Sequence, residues 1–321
     1  MRLLTLLAAL ALAACATVPA TPEPAWLVTG NKAENSVSFI DLATGAEAAR
    51  LPTGAMPHEI AVSPDGRTVA VVHYGAKAVE LFDVASQRSL RTIDLGENVG
   101  PHGIQWTRDD RLVVTTERSG TLTIVDLAND DAVTAIPTGA EVSHMVVLSP
   151  DERTAYVSSM GSGSVSVIDL AAARKTADIP AGQTPEGLAL SPDGRTLWVA
   201  DRDNATLIAF ETGSNREIAR YTVGSFPIRV AVSPDGKRVV TSNYADGSLS
   251  VLGTDGTIRT VPVSGGTEAA QVTILFAPDS RHLYVAETGK ARVALVDLDT
   301  GEVVRRYAAG EGADGLALAG R

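Results

Sequence analysis

A ten-residue phrase that recurs along the chain restricts the possible fold more than any other feature. The segment Pro57–Gly66 (PHEIAVSPDG) returns as Pro185–Gly194 (PEGLALSPDG). Copies of the phrase begin at Pro57, Pro101, Ser143, Pro185, Pro227, Gln271 and, in truncated form, Ala313. The spacing of about 42 to 44 residues accommodates four short strands, which is typical of one blade of a β-propeller.

An alternating strand in the second half of each repeat supports a count of seven blades. It occurs at Ser36–Leu42, Ala78–Val84, Thr121–Leu127, Ser164–Leu170, Thr206–Thr212, Ser248–Thr254 and Arg292–Leu298. Alternation of apolar and polar residues with a period of two indicates strands and not helices. The sequence therefore predicts an all-β, seven-bladed propeller.

The two ends of the chain are expected to share the last blade. The strand Ser36–Leu42 has no copy of the repeated phrase before it, and the last copy, from Ala313, has no further strand after it. An open ring would leave unpaired sheet edges. We therefore predict that the C-terminal inner strand closes a blade whose outer strands come from the N-terminus.

The first fifteen residues have the pattern of a bacterial lipoprotein signal. Met1-Arg2 supplies a positive charge, Leu3–Ala11 is apolar but too short to span a membrane, and Leu12-Ala13-Ala14 precedes Cys15. Cys15 is the one cysteine of the chain. We expect a signal peptide over residues 1–14 and lipidation of Cys15, the alternative being an ordinary secretory signal with an accidental cysteine.

A Pro-rich segment follows and indicates a tether. Residues 15–25 contain three prolines and no core-forming pattern, so they are expected to link the lipid anchor to a propeller over residues 26–321. The residue after Cys15 is Ala16, where lipoproteins retained in the inner membrane usually have Asp. In this respect the chain resembles lipoproteins that are sent to the outer membrane. The expected location is the outer membrane, on its periplasmic side or at the surface.

The second strands carry a family resemblance. Tyr156-Val157-Ser158-Ser159 and Tyr284-Val285-Ala286-Glu287, together with the Ser-Pro-Asp-Gly turns, resemble the YVTN-repeat (YncE-like) propellers over residues 26 to 321. The resemblance implies a secreted seven-bladed propeller, related in shape to bacterial propeller lactonases and to the haem d1 domain of nitrite reductases. It says little about activity, because the repeated residues specify turns and packing.

Candidate functional residues lie at the second position of each repeated phrase, where the inner strands begin at one mouth of the channel. These positions hold His58, His102, His144, Glu186, Ile228, Val272 and Asp314. His73, after the second strand of blade one, is expected at the same mouth. Glu59 and Arg229, one position further in, are expected to point into the channel or between blades.

Three interpretations of the histidines remain open. His58, His102 and His144 could hold one divalent transition metal, because three imidazoles with an open position suit zinc, copper or iron. They could instead form a metal-free polar pocket. They could also be part of the repeat pattern, each bonding to the backbone of the neighbouring blade.

Other cofactors and partners are not expected. There is no Cys-x-x-Cys-His motif for covalent haem, and Gly310–Gly315, which matches Gly-x-Gly-x-x-Gly, precedes an inner strand and therefore does not indicate a nucleotide site. A net charge of −11 opposes binding to the phosphate backbone of nucleic acids. The expected partner is a small molecule or a periplasmic protein, the membrane is contacted by the lipid anchor alone, and the chain is expected to be a monomer.

Two functions are compatible with these features. The first is a lipid-anchored binding or scaffold propeller. The second is a metal-dependent hydrolase or lyase resembling the propeller lactonases, in which Glu186 or Asp314 would act as the general acid or base. We favour the first at this stage, because propeller lactonases often hold their metal with Glu, Asn and Asp, from which a histidine-rich arc departs.

Overall fold

Seven four-stranded antiparallel sheets form a ring in the computed structural model, which describes residues 24–320. The inner strand of each sheet contacts the inner strands of both neighbouring sheets, so the ring is closed around a central channel. The predicted seven-bladed all-β propeller is confirmed. The predicted signal peptide, Cys15 and most of the tether lie outside the described residues.

The strands are numbered in chain order, and two short 3₁₀ turns, Thr267–Ala269 and Thr288–Lys290, lie in and beside blade six. The first fifteen strands are β1 (Trp26–Asn31), β2 (Ser36–Asp41), β3 (Glu47–Pro52), β4 (Pro57–Val62), β5 (Thr68–His73), β6 (Ala78–Asp83), β7 (Arg88–Asp94), β8 (Pro101–Trp106), β9 (Arg111–Thr116), β10 (Thr121–Asp126), β11 (Ala132–Pro137), β12 (Ser143–Leu148), β13 (Thr154–Ser159), β14 (Ser164–Asp169) and β15 (Arg174–Pro180). The others are β16 (Pro185–Leu190), β17 (Thr196–Asp201), β18 (Thr206–Glu211), β19 (Arg216–Thr222), β20 (Pro227–Val232), β21 (Arg238–Asn243), β22 (Ser248–Gly253), β23 (Ile258–Pro262), β24 (Gln271–Phe276), β25 (His282–Glu287), β26 (Arg292–Asp297), β27 (Glu302–Ala308) and β28 (Ala313–Ala319).

Blade seven joins the two ends of the chain. Its strand order is β28-β1-β2-β3, whereas blades one to six each take four consecutive strands, beginning with β4 to β7. In the β1–β28 ladder, Trp26 lies opposite Ala319 and Thr29 opposite Leu316. The predicted sharing of the last blade is therefore confirmed, and the pairing leaves no open inner edge in the ring.

The hydrophobic core lies in layers between neighbouring blades. In one layer Val28 and Phe39 of blade seven pack with Val69 and Phe82 of blade one, and all four side chains are fully buried. The outermost strands are mostly exposed, as in β7, where one residue of seven is buried. This distribution explains why the middle strands read as apolar runs and the outer strands do not.

The recurrent Ser-Pro-Asp-Gly segments form the turn between the first two strands of a blade. In blade one the Ser63 hydroxyl donates to Asp65 Oδ1 at 2.6 Å and accepts from the Thr68 backbone N–H at 2.9 Å. Ser149, Ser191 and Ser233 repeat these bonds in their blades. The phrase is thus a turn motif on the opposite side of the blade from the start of the inner strands.

The inner strands approach each other closely around the channel, which places the start of each strand at one mouth. A Cβ on Gly315 would lie 2.0 Å from the His58 carbonyl oxygen, and one on Gly187 would lie 2.8 Å from Arg229 Cα. Only glycine fits such an approach between backbones. Among residues 24–320, no helix is long and apolar enough to cross a membrane.

Candidate functional site

Residues from all seven blades meet in one cavity at the mouth of the channel. The cavity has a volume of about 220 Å³. Every second-position residue named from the sequence lines it, and we call these residues the inner ring: His58, His102, His144, Glu186, Ile228, Val272 and Asp314. The structure therefore brings together side chains that lie up to 256 positions apart in the sequence.

A second set of side chains surrounds the inner ring and was missed by the sequence reasoning. Each of these residues directly follows the second strand of its blade, and we call them the outer ring: Lys32, Tyr74, Glu117, Met160, Arg202, Tyr244 and Thr288. Three of the outer-ring residues form ion pairs with members of the inner ring. Their shared position after the second strand is the sequence signal that could have identified them.

His102 and His144 stack at the centre of the polar side of the mouth. Their ring centroids are 3.8 Å apart with an interplanar angle of 37°. His102 Nδ1 is buried and has no hydrogen-bond partner among residues 24–320. Burial, together with the neighbouring His144 and His58, lowers the pKa of His102 well below its ordinary value, so the imidazole of His102 is neutral near pH 7.

His144 has the opposite protonation preference. Its Nδ1 lies 2.9 Å from Glu117 Oε2, and its Nε2 lies 3.7 Å from Glu186 Oε1. Burial opposes a charge on His144, but the hydrogen bond to Glu117 and the nearby Glu186 outweigh burial and raise the pKa of His144. Glu117 is fixed in place by the Tyr74 hydroxyl, which donates to Glu117 Oε1 at 2.9 Å.

His58 lies beside this pair but has other partners. Its ring stacks on Tyr74 with centroids 5.0 Å apart, and its Nδ1 lies 2.9 Å from the Met56 carbonyl oxygen. Its Nε2 is 4.0 Å from Asp314 Oδ2, and that carboxylate accepts a hydrogen bond from Lys32 Nζ at 3.0 Å. Burial opposes the charge of Asp314, but Lys32 and His58 outweigh burial and lower the pKa of Asp314.

Glu186 is held by two arginines. Arg202 Nη1 donates to Glu186 Oε2 at 3.0 Å, and Arg229 Nη1 lies 3.5 Å from Oε1. Burial opposes the charge of Glu186, but His144 and the two arginines outweigh burial and lower its pKa. Arg229 also donates to Glu59 Oε1 at 2.8 Å, so Glu59 of blade one and Arg229 of blade five form an ion pair in the channel.

His73 does not reach the cavity, contrary to expectation. It is the last residue of β5, its ring lies against Gly54, and its Nε2 is 3.3 Å from Glu80 Oε2. Side chains alternate along a strand, so His73 faces the interior of the sheet layers while the next residue, Tyr74, faces the mouth. Burial lowers the pKa of His73 to about 4. His282 also lies elsewhere, beside Asp279.

One group within residues 24–320 has the composition of a metal site. His102, Glu117 and His144 can each offer a ligand atom, and these atoms lie within 4.8 Å of one another. This set differs from the expected trio, because Glu117 takes the place of His58. The reason is that His58 is engaged by Tyr74 and the Met56 carbonyl, whereas Glu117 already contacts His144.

Solved propeller structures resemble this fold. Hydrazine synthase from Kuenenia stuttgartiensis aligns over 80% of this chain and 87% of its own, with 21% identity and a TM-score of 0.72. The periplasmic gluconolactonase PpgL of Pseudomonas aeruginosa aligns over 92% and 98%, with 19% identity and a TM-score of 0.73. A functionally unknown protein from Desulfotomaculum acetoxidans aligns over 92% and 99%, with 14% identity and a TM-score of 0.76. At these identities the likeness establishes the fold.

Family comparison is more specific. No curated protein sequence matches the chain significantly. The family model described as "Lactonase, 7-bladed beta-propeller" matches residues 28–216 and 175–265. The initial preference for a scaffold without enzymatic activity finds no support in these comparisons, while the lactonase alternative fits them. Because the matches together cover well over half of its length, the chain belongs to the seven-bladed β-propeller lactonase family.

Proposed function

We propose that the mouth of this propeller opens the ring of a small lactone by hydrolysis. The observation that carries this proposal is the group His102, Glu117 and His144, whose two histidines are buried and line a cavity of about 220 Å³. Membership of the lactonase family and the fold shared with the periplasmic gluconolactonase PpgL support the same reaction class.

The three residues suit a divalent transition metal. Within the described part of the chain, His102 Nδ1 and His144 Nε2 are buried without hydrogen-bond partners. Two imidazoles and one carboxylate are a donor set found in catalytic zinc sites. A bound ion of this kind would polarise the lactone carbonyl and lower the pKa of a water molecule. Binding would require a neutral His144, whose raised pKa favours the protonated form, so affinity would fall in acid.

The surrounding residues prepare the site for proton transfer. Glu186 lies 3.7 Å from His144 Nε2, and the pKa of Glu186 is lowered against burial by His144 and the two arginines, so Glu186 is ionised near pH 7. In hydrolysis, water adds to the carbonyl carbon as the ring C–O bond breaks. Glu186 would accept the proton of the attacking water and return it to the departing alkoxide, which leaves a hydroxy acid.

A panel of small lactones tests the proposal, with acid release followed by a pH indicator. The purified protein without a histidine tag should retain about one equivalent of transition metal. His102→Ala and Glu117→Gln should each lower the rate about 100-fold or more and release the metal. His282→Asn is the matched control, because His282 begins β25 beside Asp279 and does not line the cavity, and this variant should keep both metal and activity.

A binding protein without catalysis is the second candidate function. It is favoured by the pairing of Asp314, Glu186 and Glu59 with Lys32, Arg202 and Arg229, which leaves each of these carboxylates engaged. Retention of a lactone in the cavity without release of acid would select this candidate. Absence of both metal and lactone hydrolysis would reject the hydrolase.

We further propose that the protein is an exported lipoprotein of the outer membrane, a monomer of the YVTN-repeat (YncE-like) type. Support comes from the signal-like residues 1–14, from Cys15 and from the Pro-rich tether. Cys15→Ser should leave the propeller folded and abolish lipidation, measured by partitioning into detergent. Partitioning that persists in this variant would contradict the anchor.

A further inference from the structure

The mouth of the channel is divided into a polar and an apolar side. The polar side carries the histidines and the charged inner-ring residues described above. The apolar side is lined by Phe226, Ile228, Tyr244 and Val272. Ile228 and Val272 are buried, while Phe226 and Tyr244 are half-buried and keep part of their rings open to the cavity.

Phe226 occupies a backbone conformation that disfavours large side chains. It directly precedes inner strand β20 and has φ 58°, in the left-handed region. In blades two and seven the residue at this place is glycine, Gly100 and Gly312, which adopts such φ values without strain. Met56, Val142 and Ala270 adopt the same conformation in blades one, three and six, so the left-handed φ belongs to the repeat. Phe226 differs from these residues because its ring lines the cavity.

The ring of Phe226 is held over the cavity by two neighbours. The Arg202 guanidinium lies over the ring at 4.7 Å from the centroid, and the Tyr244 ring centroid is 5.7 Å away. Arg202 is also the arginine that donates to Glu186. Arg202 therefore connects the aromatic pair to the Glu186 carboxylate on the polar side.

The cavity is small and opens at the mouth of the channel. Its volume is about 220 Å³. A single lactone ring with one compact substituent fits this space. Hydroxyl groups placed against Ile228 and Val272 would lose their hydrogen bonds to water and find no partner on these side chains.

We propose that the substrate is a lactone with one compact apolar substituent, aryl or short branched alkyl, that lies against Phe226 and Tyr244. This inference rests on the proposed function, because it takes the mouth to be the lactone site. The substituent occupies the apolar side and orients the ring carbonyl towards His102 and His144. A polyhydroxylated sugar lactone is a poor ligand for the same cavity.

Binding of lactams tests the inference without requiring turnover, because an amide in place of the ester resists hydrolysis. Calorimetry on the purified protein compares a phenyl-substituted γ-lactam with a polyhydroxylated γ-lactam. We expect the phenyl compound to bind about tenfold more tightly or better. Phe226→Gly should remove this preference, and glycine tolerates the left-handed backbone at this place, so the variant should remain folded.

Val142→Gly is the matched control. Val142 precedes inner strand β12, also with φ 58°, and it does not line the cavity. This variant makes the same change to glycine at a left-handed position and should keep the preference for the phenyl compound. Tyr244→Ser provides a second test of the aromatic pair, and should also reduce the preference.

Two results would overturn the inference: equal or tighter binding of the polyhydroxylated lactam, or a phenyl preference that persists in both Phe226→Gly and Tyr244→Ser. The proposed function can fail separately. If the protein prefers the phenyl lactam but hydrolyses no lactone, the apolar site is supported and the proposed hydrolase function is rejected. If the protein hydrolyses lactones but shows no preference between the lactams, the hydrolase function is supported and the apolar site is rejected.

Discussion

Protonation of the buried His73 is expected to destabilise the folded protein in mild acid. The residue is 1% exposed, and burial lowers its pKa from 6.5 to about 4. A histidine with a depressed folded-state pKa contributes stability that is complete above its unfolded-state pKa and is lost as the pH falls towards the folded-state value. The difference corresponds to about 3 kcal/mol of unfolding free energy, lost between pH 7 and pH 4.

The titration of the neighbouring Glu80 must be distinguished from that of His73, because both change the pH dependence of stability. Its Oε2 lies 3.3 Å from His73 Nε2, and its Oε1 accepts from the Ser89 hydroxyl at 2.5 Å. Burial raises the pKa of Glu80, so its contribution to stability has the opposite sign and is lost as the pH rises. A protonated Glu80 supplies no charge to compensate a cationic His73.

The substitution His73→Asn isolates the histidine. Asparagine already stands at the same place in blades seven and five, as Asn31 and Asn243, where its amide donates to two serine hydroxyls. Urea unfolding at pH 7, 5.5 and 4 should show that the wild type loses about 3 kcal/mol more than His73→Asn. The same comparison in a Glu80→Gln background removes the neighbouring carboxylate. Parallel stability curves for the wild type and His73→Asn would refute the reasoning.

Three further outcomes are expected. Leu316 and Leu188 occupy the same repeat position with the same 5% exposure. Leu316→Ala and Leu188→Ala should therefore each lower the free energy of unfolding by about 2 to 5 kcal/mol, measured with urea. A much smaller loss for Leu316→Ala would contradict tight closure of blade seven. Gly315→Ala places a Cβ 2.0 Å from a carbonyl oxygen of the adjacent inner strand, and should cost about 3 kcal/mol in the same assay, whereas an unchanged stability would argue against that close approach. Glu117→Gln removes the anion that helps to raise the pKa of His144, so NMR titration of the metal-free variant should show a lower pKa for His144 than in the wild type. An unchanged pKa would mean that other groups raise it.

The blades could be predicted because each repeat specifies its own local structure. The serine and aspartate of the turn around Ser63 bond within six residues of chain, and the alternation in a strand such as Ser36–Leu42 needs no distant partner to be recognised. Blade seven was predictable for a related reason. Once the repeat boundaries were known, the strand from Ala313 had no other sheet to join.

The outer ring was not predicted because its positions share no residue type. Lys32, Tyr74, Glu117 and Arg202 share only their place after the second strands of four blades, and their residue types do not indicate a common location. The expectation for His73 was wrong by one residue. In a strand, one position separates the side chain that faces the mouth from the one that packs within the blade.

The sequence alone determined the number of blades, the sharing of the last blade and the membership of the inner ring, because each depends on patterns repeated along the chain. Tertiary structure decided which of these residues are partners and how they are protonated. His144 meets Glu117 and Glu186, and His58 meets Asp314, through the closure of the ring. The opposite pKa shifts of His102 and His144 depend on burial and on charges from neighbouring blades, which no local spacing encodes.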